Sequence, residues 1–388
     1  MTLTLKGNWN FPTTVWAGPG RIAELPAACR RAGIGKPLVV TDQGLVASAM
    51  IRSAVAALGA APLFGGVQGN PTAAHVAAGL EAYRAGGHDG VVAFGGGAAL
   101  DTGKVVAFMS GQRRPLWDFE DVGDWWTRAD AAGIAPVVAV PTTAGTGSEV
   151  GRAGVILNEA THQKKIIFHP QMMPRVVVSD PELTIGLPRS VTAATGMDAF
   201  VHCFEAYCAP GFHPLADGVA LEGMRLIAGH LPRACANGAD IEARAEMLAA
   251  ASMGATAFQK GLGAVHAIAH PVGSWFNTHH GLTNAVVLPY VMVFNRAAIE
   301  AKADIIARVL DLPAPGFDGL LAWVLGLRRE LGIPHTLAAI GVTLDKASII
   351  GAEAALDPSA SGNPIPVTAA ELERIFRAAV AGELPVAG

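Results

Sequence analysis

Through the first half of the chain, short apolar runs bounded by turn-forming residues alternate with stretches of helical periodicity. The runs at 37–41, 61–67, 90–94 and 136–140 are apolar along their length rather than at every second residue, the pattern of strands buried on both faces of a parallel sheet. Between them, 43–58, 72–85 and 98–109 carry apolar residues at helical spacing, giving the βαβ rhythm of a doubly wound sheet. From about Pro188 the pattern changes: 190–207, 214–230, 243–258, 299–310, 317–331 and 368–381 all read as helices. The join is expected in 178–188, VSDPELTIGLP, where two prolines accompany turn-forming Asp and Gly. These patterns predict an α/β, Rossmann-like dinucleotide-binding domain over 1–186 and an all-α domain over 187–388.

Composition narrows the function classes. Of 388 residues, 51% are hydrophobic and 15% charged, ample material for two buried cores. The net charge of −4, with Lys and Arg scattered, leaves no electrostatic footprint for nucleic acid or an anionic membrane, so small-molecule chemistry is favoured. The N-terminal stretch MTLTLKGNWNFPTT lacks a basic region followed by an apolar one, and no later apolar run approaches the roughly 18 residues that span a bilayer. A cytoplasmic protein is the expectation. Cys29, Cys203, Cys208 and Cys235 show neither CxxC spacing nor the density of a disulfide scaffold, and are expected as buried thiols. The acidic, aromatic segment 117–126, WDFEDVGDWW, reads as a surface loop packing its Trp rings.

Two glycine-rich turns suit phosphate. Gly95, Gly96 and Gly97 lie where the run VVAF passes into the helical stretch AALDTGK; residues without Cβ let a ligand approach the backbone, and free N–H groups at a helix start attract anionic oxygens. The spacing is neither that of a P-loop nor GxGxxG. A second turn, PTTAGTGSE at 141–149, adds the hydroxyls of Thr142, Thr143, Thr146 and Ser148. Asp42 closes the run LVVT, where a carboxylate either accepts ribose hydroxyls, favouring NAD over NADP, or caps the next helix.

The helical half holds the most informative residues. Asp198 and His202 stand at i and i+4, on one helix face. His266 and His270 repeat that spacing, and His280 follows, in a chain of 12 histidines. A lone histidine on an apolar face is ordinarily a core residue; three imidazoles with a carboxylate suit a divalent metal such as Fe²⁺ or Zn²⁺. Metal and dinucleotide together point to hydride transfer, with a Lewis acid polarising the substrate oxygen in a dry cleft between the domains.

The ordered motifs GGGAALD at 95–101, PTTAGTGSE at 141–149, DPELTIGLP at 180–188, GMDAFVH at 196–202 and GAVHAIAHPVG with HHG at 263–281 resemble the iron-containing, or group III, alcohol dehydrogenases over nearly the whole chain. The resemblance implies a dehydroquinate synthase-like architecture, a small alcohol or aldehyde substrate, and a homodimer or higher homo-oligomer. It implies Asp198, His202, His266 and His280 as metal ligands, His279 as a bystander, and His270 near the nicotinamide in proton relay or positioning. Gly96, Gly97 and Asp101 would lie beside the pyrophosphate and nicotinamide, Thr142, Thr143 and Thr146 around the phosphates and adenine, Lys164 by the ribose, and Asp42 and Asn70 by the adenosine half, with NAD preferred to NADP. Ala98 departs from the serine that usually follows the triple glycine, removing a hydroxyl contact to phosphate. The rivals are a glycerol dehydrogenase-like, dehydroquinate synthase-like or maleylacetate reductase-like enzyme on the same fold, and, from another class, a metal-binding protein without catalysis. The ligand set argues against the glycerol dehydrogenase-like and dehydroquinate synthase-like readings, the lack of Arg or Lys around the ligand motifs against a dianionic substrate, and the nucleotide half against the binding protein.

Overall fold

The computed structural model describes residues 12–384, which divide at Gly186 and Leu187 into two compact units. The stretch read above for a targeting signal lies largely in residues 1–11, outside the described residues.

In the first unit, β1 (Thr14–Ala17), α1 (Leu25–Ala32), β2 (Pro37–Asp42), α2 (Ala49–Ala57), β3 (Leu63–Val67), α3 (Ala73–Gly86), β4 (Gly90–Gly95), α4 (Gly97–Met109) and β5 (Val137–Pro141) follow one another. The hairpin β6 (Ala153–Asn158) and β7 (Gln163–Phe168) comes next, then β8 (Val176–Ser179). Six strands form a parallel sheet in the order β1-β8-β5-β4-β2-β3. From β2 the chain moves outward to β3 and then returns to β4 on the other side. The carboxyl ends of β2 and β4 therefore flank a topological switch point, where open α/β sheets bind ligands. β4 and β5 are buried at every residue, as their unbroken apolar runs require. Gly103 of α4 permits close packing on β4: a Cβ there would stand 2.6 Å from that of Ala93.

The helix predicted from residue 43 starts six residues later, because 43–48 forms turns and Ser48 Oγ accepts the Ile51 N–H at 3.3 Å. Segment 117–126 is a pair of short 3₁₀ turns; Phe119 is buried edge-on against Phe108, and Arg128 stacks on Trp125 at 3.9 Å.

The second unit is helical: α5 (Arg189–Cys208), α6 (Pro214–Ala236), α7 (Ile241–Ala257), α8 (Ala264–Phe276), α9 (His280–Val309), α10 (Gly316–Leu331), α11 (Ala347–Leu356) and α12 (Ala369–Ala381). Helix α5 is its axis, buried at every residue from Thr192 to Cys208 and packed on α6, α7 and α9. Lys302 closes its C-terminal end, donating to the carbonyls of Tyr207 at 2.7 Å and Cys208 at 3.2 Å, a favourable place for a cation. Gly223 of α6 makes room for Cys203, whose Sγ would lie 2.6 Å from a Cβ there. All four cysteines are free and buried, and burial pushes the thiols of Cys203 and Cys208 up to about 12, which keeps them protonated and inert.

Helix α9 corrects the sequence expectation, which found only its last third. It is buried on every face from Thr283 to Met292 and contains Pro289, so no amphipathic stripe announces it. By length and composition it is apolar enough to cross a membrane, with mean hydropathy 1.3 over its best window. That window is 72% buried within the protein, as a core helix is.

Candidate metal centre and phosphate-binding turns

Asp198 and His202 lie one turn apart on α5, His266 sits in the first turn of α8, and His280 opens α9. Each contributes one donor atom to a group whose members all lie within 4.8 Å of one another. Asp198 Oδ1 stands 3.7 Å from His280 Nε2 and 4.0 Å from His202 Nε2, while the rings of His202 and His266 stack at 4.8 Å. Asp198, His202 and His266 are buried. Three imidazole nitrogens and one carboxylate oxygen, near the spacing of about 3.5 Å that tetrahedral bonds of ~2.1 Å produce, fit a divalent first-row cation.

Groups absent from the sequence reading hold these side chains. Glu205, one turn beyond His202 on the same face of α5, is buried; its Oε1 accepts the Val265 N–H at 2.7 Å and its Oε2 faces His266 Nδ1 at 2.6 Å. A carboxylate can only accept, so the proton of His266 resides on Nδ1 and Nε2 presents its lone pair to the other donors. Burial disfavours the charged His266 ring, but the hydrogen bond and charge of Glu205 outweigh it and hold the imidazole above its ordinary range. Asn284, one turn into α9, aims its amide nitrogen at Asp198 Oδ1 at 2.7 Å and at Nε2 of His266 and His280, each at 3.1 Å. Both residues had a signal in their spacing, three residues after His202 and four after His280.

His270 projects from the next turn of α8, its ring stacked on His280 at 5.4 Å. Its Nδ1 donates to Asp357 Oδ2 at 2.7 Å, and Asp357 Oδ1 accepts the Ser359 N–H at 2.8 Å. Burial pushes the Asp357 carboxyl up, but the charge and hydrogen bond of His270, with the Ser359 contacts, hold it below the usual carboxylate range. Asp357 lies 87 residues from His270, and no motif marks it. His279 is not a donor to the metal group: its side chain caps α9, accepting the Leu282 N–H at 3.4 Å.

In the first unit, Gly95 ends β4 at φ +146°, which favours glycine, and Gly96 precedes α4 without a side-chain cap. The first-turn N–H groups of Gly97, Ala98 and Ala99 are thus offered at the positive end of the helix dipole. The second turn packs against this start. Thr142 N–H donates to the Gly95 carbonyl at 3.0 Å, and a Cβ on Gly97 would come within 2.6 Å of Thr146 Cγ2 and one on Gly96 within 3.5 Å of Thr143.

Asp101 has both carboxylate oxygens engaged, Oδ1 by the Ser148 hydroxyl at 2.5 Å and Oδ2 by the Val155 N–H at 3.0 Å. Lys104 Nζ, 1% exposed, pairs with Asp101 at 3.3 Å and donates to the Ser148 and Ala153 carbonyls. Asp101 therefore clamps α4 to the second turn. Asp42 lies across the switch point, with Oδ2 3.0 Å from a Cβ built on Gly95. It does not cap α2, which Ser48 does; instead it accepts the Leu45 N–H at 3.1 Å, and burial raises its carboxyl despite such contacts. Asn70 follows β3 on the same sheet edge, whereas Lys164 is on β7, opposite Leu157 in the hairpin.

Comparison with known proteins places these features in a family. Residues 12–181 match the model of the iron-containing alcohol dehydrogenases, and 192–380 that of the Fe-containing alcohol dehydrogenase family, C-terminal. The chain is 40% identical over 370 residues to 4-hydroxybutyrate dehydrogenase of Cupriavidus necator, covering 92% of this chain and 95% of that one. Among solved structures, 1,3-propanediol oxidoreductase superposes with TM-score 0.90 at 33% identity, covering 96% and 99% of the two chains. Sulfoacetaldehyde reductase of Bifidobacterium kashiwanohense, solved in complex with NAD⁺, gives TM-score 0.88 at 26% identity over 97% and 100%.

Proposed function

The chain belongs to the iron-containing alcohol dehydrogenase family, and on that premise we propose that it transfers hydride between a small primary alcohol or diol and NAD, in preference to NADP, at a site holding Fe²⁺. The observation that carries the proposal is the convergence of buried Asp198, His202 and His266 with half-buried His280, in a chain whose other unit carries two packed glycine-rich turns at a sheet switch point. Zn²⁺ suits the same donors, and the choice between them is one of affinity against supply.

Bound by those four side chains, the metal supplies the Lewis acidity that polarises the substrate oxygen, and the nicotinamide supplies the hydride acceptor. The chain's own residues do the rest. Glu205 keeps the proton of His266 on Nδ1, so that Nε2 is available as a ligand. Asp357 fixes the Nδ1–H of His270, which leaves Nε2 as the atom able to take up the alcohol proton. The α4 N-terminus and Thr142, Thr143 and Thr146 hold the pyrophosphate and adenine side, with Asn70 and Lys164 toward the ribose and adenosine. Asp42 accepts ribose hydroxyls and repels a 2′-phosphate. Ala98 contributes only its N–H.

The 4-hydroxybutyrate dehydrogenase relative adds a short ω-hydroxy acid to the substrates worth testing. Steady-state oxidation of ethanol, 1,3-propanediol, 1,2-propanediol and 4-hydroxybutyrate with NAD and with NADP tests the reading. The expected result is NAD-linked turnover of at least one primary alcohol. No turnover of any, with maleylacetate reduced rapidly instead, would overturn it.

A further inference from the structure

Asn284 is buried to 0% exposure and belongs to none of the motifs that mark the site. Its amide nitrogen has two hydrogens and stands at hydrogen-bond distance from three acceptors contributed by α5, α8 and α9. The orientation of the amide follows from chemistry: were it reversed, a carbonyl oxygen would lie 2.7 Å from the Asp198 carboxylate, oxygen against oxygen. Its own Oδ1 is buried and has no hydrogen-bond partner among the described residues, so the side chain leaves an acceptor unsatisfied in order to bring its donor to this spot. The shortest of its contacts, 2.7 Å, is to Asp198, and it holds one chosen oxygen of that carboxylate toward the imidazoles.

We propose that Asn284 is a positioning residue of the metal centre, one that fixes the Asp198 carboxylate in its ligating orientation without itself ligating the metal. The proposal rests on the assignment of Asp198 as a ligand. Glu205 acts on His266 from the far side of the ring, through Nδ1, whereas Asn284 acts on the carboxylate ligand, through Asp198 Oδ1. Groups of this kind tune metal affinity by about 10–100-fold.

The test compares wild type with Asn284→Ala and with the isosteric Asn284→Leu, each stripped of metal. Zn²⁺ is titrated against a chromophoric chelator, Co²⁺ is loaded to read its visible bands, and the thermal shift with NADH serves as a control for folding. The expected result is a Zn²⁺ dissociation constant weakened about 10–100-fold in both variants, with unaltered Co²⁺ bands and a wild-type NADH shift. Affinity equal to wild type in a folded variant would overturn the inference. So would loss of a ligand-field band, which would make Asn284 itself a ligand. Failure of the wild type to bind either metal would instead sink the assignment of the site, and the inference with it.

Discussion

Replacing Glu205 with Gln preserves shape and removes one oxygen acceptor, and the structure makes the consequence specific. Glu205 meets two donors inside the protein, the Val265 N–H at 2.7 Å and His266 Nδ1 at 2.6 Å. A glutamine carbonyl can accept from only one of them. If it keeps Val265, its NH₂ faces His266 Nδ1 and drives the ring proton to Nε2, the atom the metal needs. If it turns to His266, its NH₂ opposes the Val265 N–H, donor against donor in a buried site, at a cost of about 1–3 kcal/mol. Either way the ligand set is disfavoured. Loss of an outer carboxylate partner lowers metal affinity by about 10–100-fold, which at about 1.4 kcal/mol per tenfold is roughly 1.4–2.8 kcal/mol. Competition of Zn²⁺ between stripped protein and a chromophoric chelator measures this directly. A Glu205→Gln protein that folds, shows the wild-type thermal shift with NADH, and binds Zn²⁺ within twofold of wild type would refute the tautomer argument.

Three further outcomes follow from the contacts around the two sites. Lys104→Met removes the cation that pairs with Asp101 and serves two carbonyls; breaking such a buried pair should cost about 3–5 kcal/mol in urea unfolding, and a loss below about 1 kcal/mol would deny the clamp its structural weight. Asp42→Ala should raise the ratio of kcat/KM for NADP to that for NAD by at least tenfold, and an unchanged ratio would remove Asp42 from cofactor selection. The depressed carboxyl of Asp357 stabilises the fold fully above the ordinary carboxylate range and ceases to do so as pH falls through its lowered native value, because the unfolded chain takes up the proton first. Asp357→Asn should therefore flatten the acid side of the Tm–pH curve, and a wild-type slope would show that the pair with His270 carries no such linkage.

The strands at β2, β4 and β5 were legible because burial on both faces forces continuous apolar runs with turns at either end. β1 was not: four residues whose burial alternates between partial and exposed make no run. The hairpin β6–β7 was hidden by Gln163, Lys164 and Lys165, which suit a half-exposed ribbon and carry no buried-strand signature. The last part of α9 was found because its stripe is amphipathic, and its start was lost because burial on all sides erases periodicity. Spacing of four residues put Asp198 with His202 on one helix face, but that the two pairs of turns and His280 meet in space depends on how α5, α8 and α9 pack. Glu205 and Asn284 share those faces with the ligands and could have been read from spacing, whereas Asp357 comes from a distant helix end that periodicity does not connect to His270.

The central claim is that alcohol oxidation depends on a divalent metal held by Asp198, His202, His266 and His280. It is tested most directly by stripping the protein of metal, reloading it with Fe²⁺ or Zn²⁺, and following NAD reduction with 1,3-propanediol and 4-hydroxybutyrate, for wild type and His266→Ala together with bound metal. The account predicts no turnover in the stripped protein, recovery with one metal bound per wild-type chain, and no recovery in His266→Ala despite a wild-type NADH thermal shift. Full turnover without metal, or metal binding and turnover undiminished in His266→Ala, would contradict it.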